Sequence, residues 1–195
     1  MYKYILNAFY MVSDLEKHRE IKNKLLPLID TAECGELKQK DDFYGDDIGR
    51  VDWENCKDFS REWVEYFKPY LQVELDKMAG FNGFSNATIN ELWFQQYKVG
   101  GAHGWHTHSS NWTGVYYLDM SDEAPVTDLV NPWTLNDVFT PEVSEGSIIL
   151  FPSFTIHRAP VIKSDITKTI ISFNVDFGQL TKDCVSHCNN LVNDK

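Results

Sequence analysis

From residue 88 onward the chain is dominated by short runs of β-branched and aromatic residues, each about long enough for one strand. Glycine, proline, asparagine, aspartate or serine separates the runs, and these residue types favour turns. Such a pattern predicts an antiparallel sandwich or barrel. The runs are TINELWFQQYKV, TGVYYLDM, APVTDLV, GSIILFP and KTIISFNVDF.

Helical periodicity precedes this region. A first helix is predicted from Ser13, because Ser13 and Glu16 have the spacing of a capping box, and Pro27 is expected to kink or end it. A second helix is predicted from about Asp58 to Ala79, where glycine follows as a stop signal. Pro69 lies within this range and disfavours a single straight helix. The apolar stripes are Leu15, Ile21, Leu25 and Leu28 in the first helix, and Trp63, Phe67, Leu71, Leu75 and Met78 in the second.

Two segments are predicted to be loops. Residues 31–57 contain CGELKQKDDFYGDDIGR, which is rich in glycine and aspartate and indicates an irregular acidic loop region. Residues 121–142, SDEAPVTDLVNPWTLNDVFTPE, form a long acidic insertion between core strands. We interpret this insertion as a candidate substrate lid, because long loops over a rigid scaffold often close binding sites.

The chain length of 195 residues fits a single domain over residues 1–195. We expect a mainly helical part over residues 1–87, a β core over 88–178 and a C-terminal tail over 179–195. The order of elements predicts an α+β fold in which the N-terminal helices pack on one outer face of the β core.

Charge and composition limit the partners. The net charge of −11 is spread along the chain, and a surface this negative repels phosphate backbones, so we expect no nucleic-acid partner. No apolar stretch is long enough for a membrane span, and the N-terminus lacks the features of a signal peptide. With widely spaced cysteines apart from Cys184 and Cys188, we expect a cytoplasmic protein with reduced thiols.

Three of the six histidines fall within residues 103–108. In an extended chain His106 and His108 project from the same face, where two imidazoles can bind one metal ion. A stable site needs a third ligand, and His157 is the best candidate because it follows a buried strand and a proline turn. Three such ligands with open coordination positions suit iron, zinc, copper or nickel. A chance pair, or histidines packed in a core, is the alternative.

Other residues near these motifs are weaker candidates. His103 is either a further ligand or a residue on the substrate side of the site, and Trp105 is either a pocket wall or a core residue. The tail groups Cys184 with His187 and Cys188, but it lacks the second ligand pair of a zinc finger. We therefore expect a disordered or loosely packed tail.

Taken together, the motifs resemble those of the Fe(II)- and 2-oxoglutarate-dependent dioxygenase superfamily. The likeness is closest to a group of small, mostly uncharacterised members with a His-x-His turn, then SGVYYL, a later FPS…H and a closing SFN. The corresponding strings in this chain are HTHSSNWTGVYYL, LFPSFTIH and KTIISFN. The likeness covers residues 88–177 and leaves the N-terminal half without support.

The resemblance implies a double-stranded β-helix, a cupin-like jelly roll, that holds Fe(II) through His106, His108 and His157. Enzymes of this superfamily use O2 to convert 2-oxoglutarate to succinate and CO2, and they couple this decarboxylation to oxidation of a substrate C–H bond. Hydroxylation is the usual outcome. The implied substrate is a small molecule, an amino acid or a protein side chain.

The resemblance also implies where 2-oxoglutarate binds. Relatives place a basic residue on the strand after the distal histidine, and Lys168 opens that strand here. Lysine neutralises a carboxylate as a point charge, without the bidentate fork of arginine. Tyr97 stands where relatives often bind the cosubstrate with a tyrosine hydroxyl, and of the neighbours Tyr116 and Tyr117 one should point inward, for which we take Tyr117. A solvent-facing lysine and ordinary core tyrosines are the alternatives.

One residue departs from the wider superfamily. His108 stands where most members carry an aspartate or glutamate, and a neutral imidazole leaves the iron site one unit more positive. Asp119 lies too far along the chain to supply that carboxylate. Because cupin-type thiol dioxygenases also hold iron with three histidines, an oxygenase that does not use 2-oxoglutarate is one alternative. A non-catalytic cupin-like protein with a zinc or nickel ion is another.

Overall fold

The computed structural model describes residues 8–40 and 45–185. Its helices are α1 (His18–Thr31) and α2 (Glu62–Phe81), with a 3-10 turn at Trp53–Asn55. Its strands are β1 (Met11–Asp14), β2 (Gly35–Lys40), β3 (Gly45–Val51), β4 (Ala87–Tyr97), β5 (His103–His106), β6 (Trp112–Asp119), β7 (Asp128–Val130), β8 (Val138–Phe139), β9 (Ser147–Pro152), β10 (His157–Ala159) and β11 (Lys168–Phe177).

The strands form two sheets. The major sheet has the order β1-β9-β6-β11-β4-β3-β2, and the minor sheet has the order β5-β10-β7-β8. Neighbouring strands run antiparallel in both sheets. This arrangement, with helices on one side, confirms the predicted α+β fold with a double-stranded β-helix core.

Side-chain alternation gives the major sheet two apolar faces. On β6, Tyr116 and Leu118 pack with the helices, whereas Val115 and Tyr117 pack with residues of the minor sheet such as Leu129. One core therefore lies between the major sheet and the helices, and a second core lies between the two sheets. The second core surrounds the barrel interior in which the predicted site residues lie.

Helix α2 covers the outer face of the major sheet, and its predicted apolar stripe is confirmed. The buried stripe residues are Trp63, Phe67, Leu71, Leu75 and Met78. The helix begins at Glu62, later than predicted, and continues through Gly80 to Phe81, so Gly80 does not stop it. Pro69 lies inside the helix, where packing of the stripe outweighs the one backbone hydrogen bond that proline removes.

The predicted start of the first helix is wrong. Ser13 does not cap a helix; it lies in β1, pairs with Ile148 of β9 and donates its hydroxyl to Glu74 at 2.6 Å. Helix α1 begins only at His18, and Pro27 lies within it without ending it. Pairing with a strand far along the chain overrides the local capping signal.

The predicted loop over residues 31–57 is also wrong in part. β2 and β3 pair with each other, and β3 continues the major sheet by pairing Arg50 with Gln96 of β4. Ile48 and Val51 are buried in the core between the two sheets, which anchors β3 despite its glycine and aspartate content. The described residues up to 86 thus supply three strands as well as the two long helices.

The segment 121–142 is not an insertion throughout. It contains β7, which pairs with β10, and β8, which pairs with β7 at the edge of the minor sheet. The tail residues His187 and Cys188 lie outside the described residues. Within the described part of the chain, no helix has the length and apolarity needed to cross a membrane.

A buried carboxylate ties the start of α2 to β4. Asp52 is 2% exposed; it accepts hydrogen bonds from the Trp63 indole at 2.9 Å and the Phe94 backbone N–H at 2.8 Å. The Arg61 guanidinium also pairs with Asp52 and donates to the Leu92 carbonyl. Burial raises the pKa of Asp52, while the Arg61 charge opposes the rise. Loss of the carboxylate would leave three donors without their acceptor.

We predict that Asp52→Ala lowers the free energy of unfolding by about 3–5 kcal/mol, because it leaves a largely buried cation unpaired. Urea denaturation measures the change. Glu54→Ala is the matched control, since Glu54 is exposed on the adjacent 3-10 turn, and its effect should stay within about 0.5 kcal/mol. Equal effects of the two substitutions would contradict the structural role of Asp52.

Candidate metal centre

Three histidines converge at one end of the barrel. His106 ends β5 and His157 begins β10, and the two residues are direct cross-strand partners. His108 follows β5, and its backbone N–H donates to the carbonyl of Ser153 at 3.0 Å. One ring nitrogen of each histidine lies within 4.8 Å of those of the other two. Within residues 8–40 and 45–185, no other group of histidine, cysteine or acidic side chains meets this spacing.

Hydrogen bonds to carbonyl groups set the tautomers of two of these rings. Nδ1 of His106 lies 2.8 Å from the Gly104 carbonyl oxygen, and Nδ1 of His157 lies 2.9 Å from the Thr155 carbonyl oxygen. A carbonyl oxygen can only accept, so each Nδ1 carries the proton and donates it. In the neutral rings, Nε2 therefore keeps its lone pair for a metal ion.

The spacing of the ring nitrogens suits a shared ligand. Nε2 of His108 lies 3.3 Å from Nε2 of His157. Two nitrogens bound at about 2.1 Å to one metal ion lie about 3.0 Å apart at right angles and about 3.4 Å apart in a tetrahedron. The observed separation falls within this range, so the two rings can bind one ion with little movement.

Burial keeps the histidines neutral. It lowers the pKa of His108 to about 4, with a further lowering from the neighbouring His106, and it lowers the pKa of His157 well below the usual value. Burial also lowers the pKa of His106, although the Gly104 carbonyl and Asp46 oppose the shift. Neutral imidazoles bind a metal ion without first releasing a proton.

Aromatic rings enclose the site. Trp93 stacks on His108 with ring centroids 5.8 Å apart, and Phe151 meets the edge of His157 at 4.7 Å. A small cavity of about 20 Å³ lies against the histidines, roughly the room for a single water. Its polar lining includes Gln95 and Thr127. The site is thus lined mainly by aromatic rings, with a few hydrogen-bonding groups among them.

Lys168 lies inside the barrel and not on the solvent face. It is 1% exposed and pairs across the sheet with Tyr97. Its Nζ lies 5.9 Å from the Tyr97 ring and 5.6 Å from the Tyr117 ring, and it donates to the Pro125 carbonyl at 2.5 Å. Burial lowers the pKa of Lys168 to about 8, opposed by Asp128. The structure therefore brings together the three residues predicted to bind the cosubstrate.

The two tyrosines in this group point inward, as their alternation requires. Tyr97 donates its hydroxyl to Gln95 at 2.8 Å, and Tyr117 donates to the Thr127 hydroxyl at 2.9 Å. Burial raises the pKa of Tyr117 to about 12 and raises that of Tyr97 still further, so both hydroxyls remain protonated donors. Tyr116 faces the helices instead, with its hydroxyl 2.7 Å from His18 Nδ1.

The weaker candidates lie around the site. The His103 ring stacks on His106 at 3.9 Å, but His103 does not belong to the group of mutually close ring nitrogens. Trp105 lies under the Arg158 guanidinium at 4.4 Å. Asp119 forms an ion pair with Lys22 of α1 at 2.5 Å, which agrees with its exclusion as a metal ligand.

Sequence reasoning missed several residues that line the cavity. Trp93 and Gln95 line it on β4, and Ser172 lines it on β11. They share a face with Tyr97 and Lys168, because alternate residues of a strand point to one side. Every second position along the strand before Tyr97 and along the strand after Lys168 faces the same side, and this alternation could have predicted them from the sequence.

Solved structures share this fold. An oxidoreductase of the 2OG-Fe(II) oxygenase family from Burkholderia pseudomallei matches with a TM-score of 0.69 and 11% identity, covering 85% of this chain and 84% of its own. A viral collagen prolyl hydroxylase from Paramecium Bursaria Chlorella virus-1, solved as a 2OG complex, matches with a TM-score of 0.56 and 14% identity, covering 88% and 97%. The epimerase SnoN, solved with Fe3+, alpha ketoglutarate and nogalamycin RO, matches with a TM-score of 0.64 and 12% identity, covering 85% and 78%.

The likeness establishes the fold. At this level of identity it rests on strand order and geometry, and the function has to be argued from the site itself. No protein-family model matches the sequence, and no curated protein is significantly similar to it. The chemistry of the histidines and of Lys168 therefore carries the functional argument.

The lowered histidine pKa values predict how stability depends on pH. Unfolded histidines have a pKa near 6.5, so below that pH the unfolded chain binds protons that the folded site excludes. The free energy of unfolding of the metal-free protein should fall as the pH drops from about 6.5 to about 4.

Urea denaturation at a series of pH values measures this loss. A variant carrying His106→Gln, His108→Gln and His157→Gln should show a flatter profile over the same range, because glutamine does not titrate. If the variant and the parent lose the same stability, the buried imidazoles are not the groups responsible.

Proposed function

We propose that the protein is an Fe(II)- and 2-oxoglutarate-dependent oxygenase that hydroxylates a C–H bond of its substrate. The observation that carries the proposal is the convergence of three neutral imidazoles in the same barrel interior as a buried lysine. The solved structures with this fold include one bound to Fe3+ and alpha ketoglutarate and one bound to 2OG, which supports the same pair of ligands here.

His106, His108 and His157 would hold the iron through one ring nitrogen each. Three protein ligands leave coordination positions open for 2-oxoglutarate and O2. When bound, iron with these two partners would supply the oxidant for the C–H bond, with one O2 oxygen entering succinate as CO2 leaves and the other entering the substrate. The protein keeps the imidazoles neutral and fixes two of them through the Gly104 and Thr155 carbonyls.

Lys168 would neutralise the distal carboxylate of 2-oxoglutarate. It lies four residues before Ser172, which lines the histidine cavity, so the two positions are about 13 Å apart along β11. The lysine side chain and a five-carbon diacid together can span this distance. A buried cation within the barrel is otherwise costly, which supports a role in binding an anion.

Cosubstrate binding requires a local rearrangement. Lys168 Nζ now donates to the Pro125 carbonyl, and the cavity of about 20 Å³ is too small for 2-oxoglutarate. We propose that Lys168 exchanges this carbonyl for the carboxylate, with hydroxyl groups of Tyr97 and Tyr117 as further donors. Pro125 belongs to the segment 121–142, so the exchange couples cosubstrate binding to the candidate lid.

The all-histidine ligand set favours one rival function. Histidines alone make up the ligand group found in the described residues, and an oxygenase that binds its organic substrate directly to such iron needs no 2-oxoglutarate. That enzyme would consume O2 without 2-oxoglutarate, and Lys168 would be dispensable for turnover. The burial of Lys168 beside two tyrosines favours the 2-oxoglutarate enzyme.

We predict that anaerobic addition of Fe(II) and 2-oxoglutarate gives a weak visible charge-transfer band. Lys168→Ala should weaken 2-oxoglutarate binding roughly ten- to hundredfold, because a charge-assisted contact is lost, while Fe(II) binding is unchanged. Titration of the band against 2-oxoglutarate concentration measures both effects. Lys168→Arg should recover part of the affinity, since it restores the positive charge.

The matched control is Lys163→Ala, which removes an exposed lysine from the segment before β11 and should leave the titration unchanged. Two results would contradict the assignment of 2-oxoglutarate as the cosubstrate. One is unchanged affinity in Lys168→Ala, and the other is O2 consumption that proceeds at the same rate without 2-oxoglutarate. Full zinc occupancy that survives anaerobic exchange with Fe(II) would favour a non-catalytic metal protein instead.

A further inference from the structure

A polar pair near the histidines has no role in the proposed iron and cosubstrate chemistry. Asn174 on β11 and Glu91 on β4 are cross-strand partners, and the amide nitrogen of Asn174 donates to Glu91 Oε2 at 2.5 Å. Asn174 is 3% exposed, and its Oδ1 has no hydrogen-bond partner among the described residues. Because a carboxylate only accepts, the amide nitrogen must face Glu91, and the unpartnered atom is the oxygen.

Strand register places this pair beside the metal centre. Ser172 lies two residues before Asn174 on the same face of β11 and lines the histidine cavity, as does Thr113, which stands opposite Asn174 on β6. Trp93, the partner of Ser172 on β4, stacks on His108. Two residues of a strand span about 7 Å, so the pair lies one layer of side chains beyond the histidines, away from the proposed cosubstrate site.

A second unpartnered oxygen lies at the same end of the barrel. In the part of the chain that the structure describes, the only other buried side-chain polar atom without a partner is Ser153 Oγ. The backbone of Ser153 accepts from the His108 N–H and donates to the Asn111 carbonyl, just before β6. Buried polar atoms without partners are uncommon in native proteins. Neither residue lines the cavity itself, but Ser153 is hydrogen-bonded to His108 and Asn174 stands opposite Thr113, and both of these partners line it. Two such atoms beside cavity-lining residues indicate a ligand that donates hydrogen bonds.

Charge favours a cationic donor. The Glu91 side chain is 20% exposed, and its ion pair with Lys57 is long, at 3.4 Å, with Lys57 77% exposed. Exposed ion pairs of this kind contribute little, so Lys57 competes weakly for the carboxylate. The net charge of −11 also attracts cations to the protein. A carboxylate beside an amide oxygen is the acceptor set that an ammonium or guanidinium group prefers.

We propose that the substrate carries a basic side chain, whose cationic nitrogen Glu91 and the Asn174 side-chain oxygen bind at the barrel mouth while a neighbouring C–H bond faces the metal centre. The placement of that C–H bond rests on the proposed function, whereas the binding of the cation does not. A free basic amino acid and a basic side chain within a peptide share this chemistry.

Calorimetric titration of the metal-free protein, and of the anaerobic protein loaded with Fe(II) and 2-oxoglutarate, tests the inference. The probes are L-arginine, L-citrulline, whose side chain is uncharged, and L-norleucine, whose side chain is apolar; all three carry the same α-ammonium group, so the comparison isolates the side-chain cation. L-arginine should bind at least roughly tenfold more tightly than L-citrulline, because hydrogen bonds to charged groups are the stronger ones. Glu91→Gln should abolish this preference while leaving Fe(II) binding and the 2-oxoglutarate titration unchanged.

Two variants serve as controls. Glu54→Gln removes an exposed carboxylate nearby and should leave arginine affinity unchanged, whereas Lys57→Ala should increase it because a competing cation is lost. The tripeptide Gly-Arg-Gly, compared with L-arginine, shows whether the cation belongs to a peptide or to a free amino acid.

The inference is overturned if L-arginine binds no more tightly than L-citrulline in either form of the protein, or if Glu91→Gln keeps the preference. Failure of the proposed function looks different. In that case Fe(II) and 2-oxoglutarate give no charge-transfer band, yet the metal-free protein still selects L-arginine through Glu91.

Discussion

The antiparallel pairing of β10 with β5 is the contact on which the rest of the site depends, because it sets His157 directly opposite His106. Backbone carbonyls accept the Nδ1 protons of both rings and leave the Nε2 lone pairs free, with Nε2 of His157 3.3 Å from that of His108. Buried lone pairs without a partner are costly. A shared cation, as proposed, would satisfy the lone pairs of all three rings at once.

One face of strand β11 carries three polar residues that point into the barrel. Lys168, Ser172 and Asn174 are separated by even numbers of residues on β11, and all lie on the face that points away from the helices. We propose that Lys168 serves the cosubstrate and Asn174 the substrate, while Ser172 lies between them and lines the histidine cavity. The opposite face of the same strand carries Ile171 and Phe173, which pack under the helices. Rigid packing on one side thus positions polar groups on the other.

The sequence predicts the parts of the fold that have local signals. The alternation in the C-terminal half predicts the barrel, and the histidine spacing together with the strand junction at His157 predicts the cluster. β1 and β3 were missed because their pairing partners lie far along the chain, as when Ser13 pairs with Ile148. The interior position of Lys168 could be predicted only from the family resemblance, because its burial depends on pairing with Tyr97. The role inferred for Asn174 needed the three-dimensional structure, because an unpartnered oxygen leaves no trace in sequence.

The central claim is that three imidazoles bind one iron ion, and X-ray absorption at the iron edge tests it most directly. For the protein loaded anaerobically with one equivalent of Fe(II), we expect multiple-scattering signals from three histidine rings. His157→Ala should reduce the number to two and weaken iron retention. Iron bound with no imidazole scattering, or bound equally well after all three histidines are replaced by alanine, would contradict the claim.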